Sequence, residues 1–311
     1  MPQLQSIILK WSILLRRVQF FNEKDQVINI NSVNDTLLLH NRCSFRKCVA
    51  TGERSCVYFS LGRNNSIVQR KFCCTKCQSE EGPHFTETIV DSSVIIQSSL
   101  FDVGNLSTGN SISLQDEDAV VSSTNFSSCK TFVSPAGSLI GRKFQPSKYN
   151  YTTVVNNLAT ENSIIHLFYS ALIDSCNIIN NSILQLTQFA YCGIIYHRSS
   201  DLTIKSCSFI NNTVPDVYND PNAGSYLIYN DRYNDPSEEM LIENCYIDNS
   251  ISTTQMFNYY HIEIREPFTN NLIHFSTDIC QAEFAIINKS ISEVNDLSLF
   301  LQTLLNISNS S

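Results

Sequence analysis

The chain has 311 residues, long enough to bury a large core, and only 16% of them are charged while 42% are apolar. Its net charge of −8 argues against a phosphate-binding surface, so nucleic acid is not expected as a partner. Twelve cysteines in a chain of this length do not make a small disulfide scaffold, and the two basic stretches, RRVQFF at 16–21 and RKFCCTK at 70–76, are short against the acidic balance.

The N-terminal stretch SIILKWSILLRRVQFF is apolar but broken by Lys10, Arg16 and Arg17. A secretory leader places its positive charge before the apolar run and a small-residue cleavage site after it. Here the order is reversed and the site is missing, so residues 1–25 are expected to be an amphipathic element capping one end of the core. No uncharged run approaches the ~18–20 residues of a membrane span, and none is expected in this chain.

From residue 26 to 290 the chain repeats itself. KSCSFINNT at 205–213 has near copies in DSCNIINNS at 174–182 and ENCYIDNS at 243–250. Anchors of the same kind are Phe45, Phe72, Phe101, Phe126, Val154, Ile178, Phe209 and Ile247, separated by 24 to 38 residues. Helical repeats of this length need segments of ~10 residues with apolar positions at i, i+3, i+4 and i+7. The segments here are short and β-rich, such as CVYFS, SIIHLFY and LTIKSCSFI, and are punctuated by Gly, Asn, Ser, Asp and Pro.

Each unit therefore reads as one coil of a solenoid, with two or three short strands joined by turns and successive coils ~4.8 Å apart. The right-handed crossover preference sets the hand. The expected fold is all-β, a right-handed parallel β-helix of roughly nine or ten coils with end caps. In the repeated phrase, Phe or Ile enters the core, Cys two residues earlier points the same way, and Asn turns the corner. Asn stacked on Asn would continue as an amide ladder.

FINN at 209–212, preceded by CGIIYHRSSDLTIKSCS, resembles the GGAI…FxxN repeats of polymorphic outer-membrane-type proteins. It is also similar to the right-handed parallel β-helix families of trichomonad surface proteins. The resemblance spans roughly residues 37–290, with SCVYFS and CGIIYH matching the first half without its double glycine. It implies the fold and a place at the cell surface; it assigns no site.

The local motifs carry little chemistry. Cys74 and Cys77 form a single CxxC without a second pair, which leaves metal, disulfide and plain core packing as readings. GNLSTGN at 104–110 lacks the lysine and spacing of a phosphate loop, and DEDAV at 116–120 reads as a solvated acidic turn rather than a calcium loop. The six histidines form no metal or nucleophile signature, and His166 and His197 sit inside apolar strand patterns. No catalytic, cofactor-binding or metal residue is expected. Sequons at Asn34, Asn64, Asn105, Asn125, Asn150, Asn180, Asn211, Asn288, Asn306 and Asn309 are glycan acceptors if the chain is exported, and otherwise follow from its Asn and Ser content.

The longest gap between anchors lies between Phe209 and Ile247 and reads as an insertion at 214–240. Loops on a rigid scaffold carry recognition, and Tyr supplies stiff contact area with a polar tip. Tyr218, Tyr226, Tyr229, Asp231, Tyr233 and Asp235 are therefore the candidate ligand residues. SEVNDLSLFLQTLLN at 292–306 has a helical stripe, so 291–311 is expected to be a capping helix and tail. The function expected is recognition without catalysis: a surface or secreted protein binding a host or matrix protein or a glycan. The alternative is a polysaccharide lyase or hydrolase of the pectate-lyase type. Surface placement without a leader or anchor fits a fragment or truncated form of a larger protein.

Overall fold

A computed structural model of the chain describes residues 11–32, 36–51, 55–61, 65–106, 109–115, 118–141, 146–184, 191–198, 201–215, 224–231, 240–248, 262–264 and 266–277. Among these residues all regular structure is β, and every strand pairing is parallel. The chain winds as a solenoid in which each coil contributes one strand to each of three faces. On the first face the strands climb from Trp11–Arg16 to Met240–Ile247, with Ile262–Ile264 beyond. The second face carries strands of three residues from Gln19–Phe21 to Ser208–Ile210 and ends on Tyr246 and Ile247. The third runs from Ile28–Ser32 to Gly224–Asp231.

The corners explain the repeated phrase. Between the first and second faces stands one left-handed residue per coil, including Arg42 (φ 56°), Ser175 (φ 54°) and Ser206 (φ 52°). Its N–H donates to the carbonyl of the next coil, as Ser175 does to Lys205 at 3.0 Å, so the parallel ladder continues around the bend. The following side chain closes the corner by donating to the carbonyl two residues back. Cys176, Cys207 and Cys245 do this at 3.3, 3.1 and 3.3 Å, and Ser98, Thr124 and Thr152 do it at 2.9, 2.9 and 3.0 Å. Thiol and hydroxyl are interchangeable here because both are small donors within reach of that carbonyl.

The middle residue of each second-face strand faces the core. Phe45, Phe126, Ile178 and Phe209 are at most 1% exposed and Ile247 is 6% exposed, each in the row the repeat requires. Two anchors were misplaced. Phe45 pairs with Cys74 and Phe126 with Leu100, so the row runs through Cys74 and Leu100 rather than Phe72 and Phe101. Phe101 lies on the outward side, half-buried, while Phe72 sits one row earlier, at the corner.

After each second-face strand comes another left-handed residue, such as Asn180 (φ 53°) or Asn211 (φ 51°), and then an inward side chain. In three successive coils that side chain is Asn157, Asn181 or Asn212, all at most 1% exposed. Asn181 Nδ2 donates to Asn212 Oδ1 at 3.0 Å and to the Val154 carbonyl at 2.9 Å. Asn157 repeats the pattern on Asn181 at 3.0 Å and on the Phe126 carbonyl at 3.0 Å. The expected amide ladder is present, and the two asparagines of FINN do different work: the first turns the corner and the second forms the ladder.

The segment 1–25, assigned to a cap, already contains Trp11–Arg16 and Gln19–Phe21, which pair with the coil above. Its described part is the outermost coil. DEDAV is not only a turn, since Asp118 opens the strand Asp118–Ser122. The capping helix expected at 291–311 lies outside the described residues. No described helix is long and apolar enough to cross a membrane.

Candidate functional site

The third face widens toward one end of the stack. Its strand is three residues long at Ser138–Ile140, six at Ser163–Phe168, and eight at both Tyr191–Arg198 and Gly224–Asp231. The last of these lies inside the segment read from sequence as an insertion. Gly224–Asp231 is an ordinary member of the ladder, paired in register with Tyr191–Arg198. The flanking stretches 216–223 and 232–239, with Tyr218, Tyr233 and Asp235, lie outside the described residues.

Strand alternation sends Ile195, Ile228 and Leu167 inward and sets His166, Tyr196 and Tyr229 in one outward row. The rings meet in sequence: His166 to Tyr196 at 4.8 Å, Tyr196 to Tyr229 at 5.4 Å and Tyr229 to Tyr226 at 5.5 Å. Phe168 stacks on His166 at 4.4 Å. Tyr226 stands over Gly193 in the register, and a Cβ on Gly193 would lie 3.2 Å from the Tyr229 Cβ. The main chain itself closes on this position, since the same Cβ would lie 2.5 Å from the Ile195 carbonyl oxygen and 3.0 Å from the Tyr229 nitrogen.

The tyrosines spend their faces on each other, as stacked and tilted pairs 28° and 34° apart. A ligand therefore meets ring edges, hydroxyls and the charged groups beside them. The Tyr196 hydroxyl donates to Asp231 Oδ2 at 3.0 Å, and Arg198 Nε lies 3.9 Å from the same oxygen. Burial and the Asp231 carboxylate push the Tyr196 hydroxyl well above its ordinary range, so it stays a donor at any physiological pH. Behind the row, His197 is buried with Nδ1 2.7 Å from Asn230 Oδ1 and Nε2 facing the Tyr169 carbonyl. Burial lowers the pKa of His197, and burial together with the nearby His197 and Arg198 holds His166 at about 3; both rings are neutral near pH 7.

Of the six candidate ligand residues, the structure brings Tyr226, Tyr229 and Asp231 together. Tyr229 is 7% exposed, a member of the stack rather than a projecting loop residue. Sequence reading missed His166, Phe168, Tyr196 and Arg198, which complete the group from two lower coils. The signal was present as the in-register spacing of CGIIYHR and YLIYND, but Gly224–Asp231 had been taken for a loop.

The cysteines are elsewhere. Cys48, Cys56, Cys74 and Cys77 lie in the core, each 0% exposed, and the Cys77 thiol donates to the Thr75 carbonyl at 3.7 Å. Burial pushes Cys74 up to about 11 and Cys77 upward as well, which keeps them as thiols rather than the thiolates a metal requires. Cys73 is disulfide-bonded, and the other described cysteines are free and buried. Among the described residues no group of three His, Cys, Asp or Glu side chains is placed to hold a metal.

Coiling also gathers the two basic stretches. Arg17, Arg42 and Lys71 occupy the same corner of three successive coils, and Lys47 and Lys76 share the next corner. No protein-family model, no curated protein and no solved structure matches this chain.

Proposed function

We propose that the chain is a non-enzymatic recognition protein of the cell surface or the secreted space, binding a protein or glycan through the wide end of its third face. The observation that carries this reading is the outward row from His166 to Tyr226, flanked by Arg198 and Asp231 on a sheet of two eight-residue strands. Such a face is rigid, so a ligand pays little ordering entropy on the protein side. Its hydroxyls and the Arg198 guanidinium suit sugar hydroxyls, carboxylates or sulfates. The FxxN-like phrase supports placing the repeat with the right-handed β-helix families of surface proteins, and sequons at the corner residues Asn180 and Asn211 fit an exported chain. The test is binding of the full chain to an array of neutral and acidic oligosaccharides and to extracellular-matrix proteins. Arg198→Ala and Tyr226→Ala are expected to weaken binding at least ~10-fold, since truncating a central anchor typically does so. Binding that survives both substitutions unchanged overturns the assignment to this face.

One observation favours the enzymatic alternative: Arg198 and Asp231 come from adjacent coils and meet side by side. A uronate lyase needs a base and a cation in that relation. In this structure the two engage each other and Tyr196, which suits a binding rim better than a free base. Release of unsaturated ends from polygalacturonate, with and without calcium, decides it. Turnover abolished by Asp231→Asn would replace the recognition reading.

A further inference from the structure

Residues 266–277 leave the path of the coils and run across the strands of the second face. Ser208 Oγ donates to the Phe268 carbonyl at 2.7 Å. One rank lower, Asn270 exchanges two bonds with the Asn177 amide, both at 2.8 Å, and its own Nδ2 donates to the Ser206 and Cys176 carbonyls at 2.9 and 3.3 Å. His274 Nε2 meets Thr153 Oγ1 at 2.6 Å, and Ser99 Oγ donates to the Phe275 carbonyl. The lengths agree: four ranks at ~4.8 Å span about 19 Å, and seven extended residues at ~3.3 Å cover about 23 Å. The segment also alternates as a strand does, with Phe268, Asn270, Leu272 and His274 turned toward the solenoid and Thr269, Asn271 and Ile273 exposed.

The residues beneath it are the outward first positions of the second-face strands. Ser208, Asn177, Thr153, Asn125 and Ser99 are nevertheless at most 5% exposed. They offer one hydroxyl or amide per coil, which is chemistry for the main chain of a crossing polypeptide.

We propose that residues 268–275 are an acid-released strap: protonation of His274 lifts them off the second face and uncovers a row of hydroxyls and amides that fits an extended polypeptide laid across the strands. His274 is 4% exposed, and its Nδ1 is buried without a partner in hydrogen-bond geometry. The groups acting on the ring, Thr153 and the Ser123 main chain, are uncharged, so nothing among them compensates an imidazolium. Burial lowers the ring from 6.5 to about 4 when docked and outweighs the opposing effect of the Ser123 main chain.

The sign follows from linkage. The docked form holds His274 neutral, so docking is strongest above pH 6.5 and weakens as pH falls toward 4. With these two values the opening equilibrium rises about 10-fold at pH 5.5 and about 70-fold at pH 4.5 relative to pH 7.5.

Hydrogen exchange on the full chain tests this, corrected for intrinsic rates at pH 7.5, 5.5 and 4.5. Protection of 268–275 is expected to fall by these factors, while the first-face strands Ala171–Asp174 and Leu202–Lys205 of the same coils keep theirs. His274→Gln retains a hydrogen-bonding partner for Thr153 but does not titrate, and is expected to show no pH dependence in the strap. Should that variant not fold, the wild-type titration decides alone, through its slope of one proton between pH 6.5 and 4. Strap exchange independent of pH, the same pH dependence in His274→Gln, or joint loss of protection in strap and coils overturns the proposal.

Discussion

Asn181 sits in the middle of the amide ladder, and its replacement tests whether that ladder stabilises the stack. Its Nδ2 donates to Val154 O and Asn212 Oδ1, and its Oδ1 accepts from the main-chain N–H and side-chain amide of Asn157, both at 3.0 Å. Asn181→Ala removes all four bonds and leaves the buried Asn157 N–H without its acceptor. The orphaned Asn157 N–H costs about 1–3 kcal/mol and each of the other three bonds about 1 kcal/mol net, so the sum is about 4–6 kcal/mol. Asn181→Asp keeps the shape and the acceptor toward Asn157, but an ionised carboxylate cannot donate to Val154 and faces Asn212 Oδ1. Burial would raise its folded pKa above the unfolded value of ~3.9. A group raised in this way is stable in the fold only while protonated, so the Asp variant is expected to lose stability as pH rises above about 4 and to fall below the Ala variant at pH 7. Urea unfolding at pH 4 and pH 7 measures both, with the corner substitution Asn211→Ala, where the side chain is exposed, as a control of small effect. A cost below about 1 kcal/mol for Asn181→Ala, or equal stability of the Ala and Asp variants at pH 7, refutes the reasoning.

Phe209→Ala is expected to cost about 3–5 kcal/mol as a core truncation, and Phe101→Ala less than about 1 kcal/mol, both read from urea midpoints. Gly137 has φ 107°, and a Cβ there would lie 2.3 Å from Ile112 Cγ1; Gly137→Ala should therefore cost about 3 kcal/mol or more in a thermal melt. His40 is fully buried against Phe45 and Phe72 with both ring nitrogens unpartnered, so His40→Leu is expected to stabilise by about 1–3 kcal/mol at pH 7. Because burial holds His40 at about 3, the wild type loses stability as pH falls below 6.5, and the substitution should flatten that loss in denaturation from pH 7 to pH 4. In a secretory host, glycopeptide mapping is expected to find sugar at Asn211, whose side chain is exposed, and none at Asn125, which is 0% exposed and donates to Ser127 Oγ at 2.7 Å.

The fold was legible because stacking writes itself into the sequence: residues in the same row meet their equivalents, so Cys176, Cys207 and Cys245 recur with the period of the coil. The rows slipped where chemistry substituted without changing the job. At the closing corner a phenyl ring at Phe72 replaces the thiol, and a thiol at Cys74 replaces the Phe45 ring in the core row, so a reader following Phe loses the register by two. Corners were legible when Asn marked them and hidden when Arg42, Lys71, Gln97 or Tyr151 took the left-handed conformation, which local preference disfavours but the continuous ladder compensates. The aromatic row was half legible. Tyr226, Tyr229 and Asp231 were picked for composition, but their partners Tyr196, Arg198 and His166 belong to them only through a pairing that spans more than thirty residues. The strap over the second face left no periodic signal, because its contacts follow the axis and not the coil.

The low charge of the chain follows from the same geometry. Coils ~4.8 Å apart place equivalent side chains in permanent contact, and two like unit charges at that distance repel by about 1 kcal/mol in water and several times more at the effective dielectric of a protein surface. A solenoid row therefore tolerates charges only when signs alternate or the side chains splay. At the outer end of the first face, Asp174, Lys205 and Glu243 follow one another with alternating sign, and Lys205 lies 3.3 Å from Asp174. Arg198 and Asp231 obey the same rule on the third face, as do Lys76 and Asp102 at a corner, 3.8 Å apart. The exceptions, Arg17, Arg42 and Lys71 at one corner and Lys47 and Lys76 at the next, all stand in left-handed positions. Elsewhere the outward rows hold mostly uncharged residues, with hydroxyls and amides at Ser99, Asn125, Thr153, Asn177 and Ser208 on the second face and aliphatics at Leu39, Val68, Val94 and Val120 on the first, which stack without repulsion. The wide end of the third face combines tyrosine hydroxyls with a pair of opposite charges, the Tyr196 hydroxyl donating to Asp231 beside Arg198.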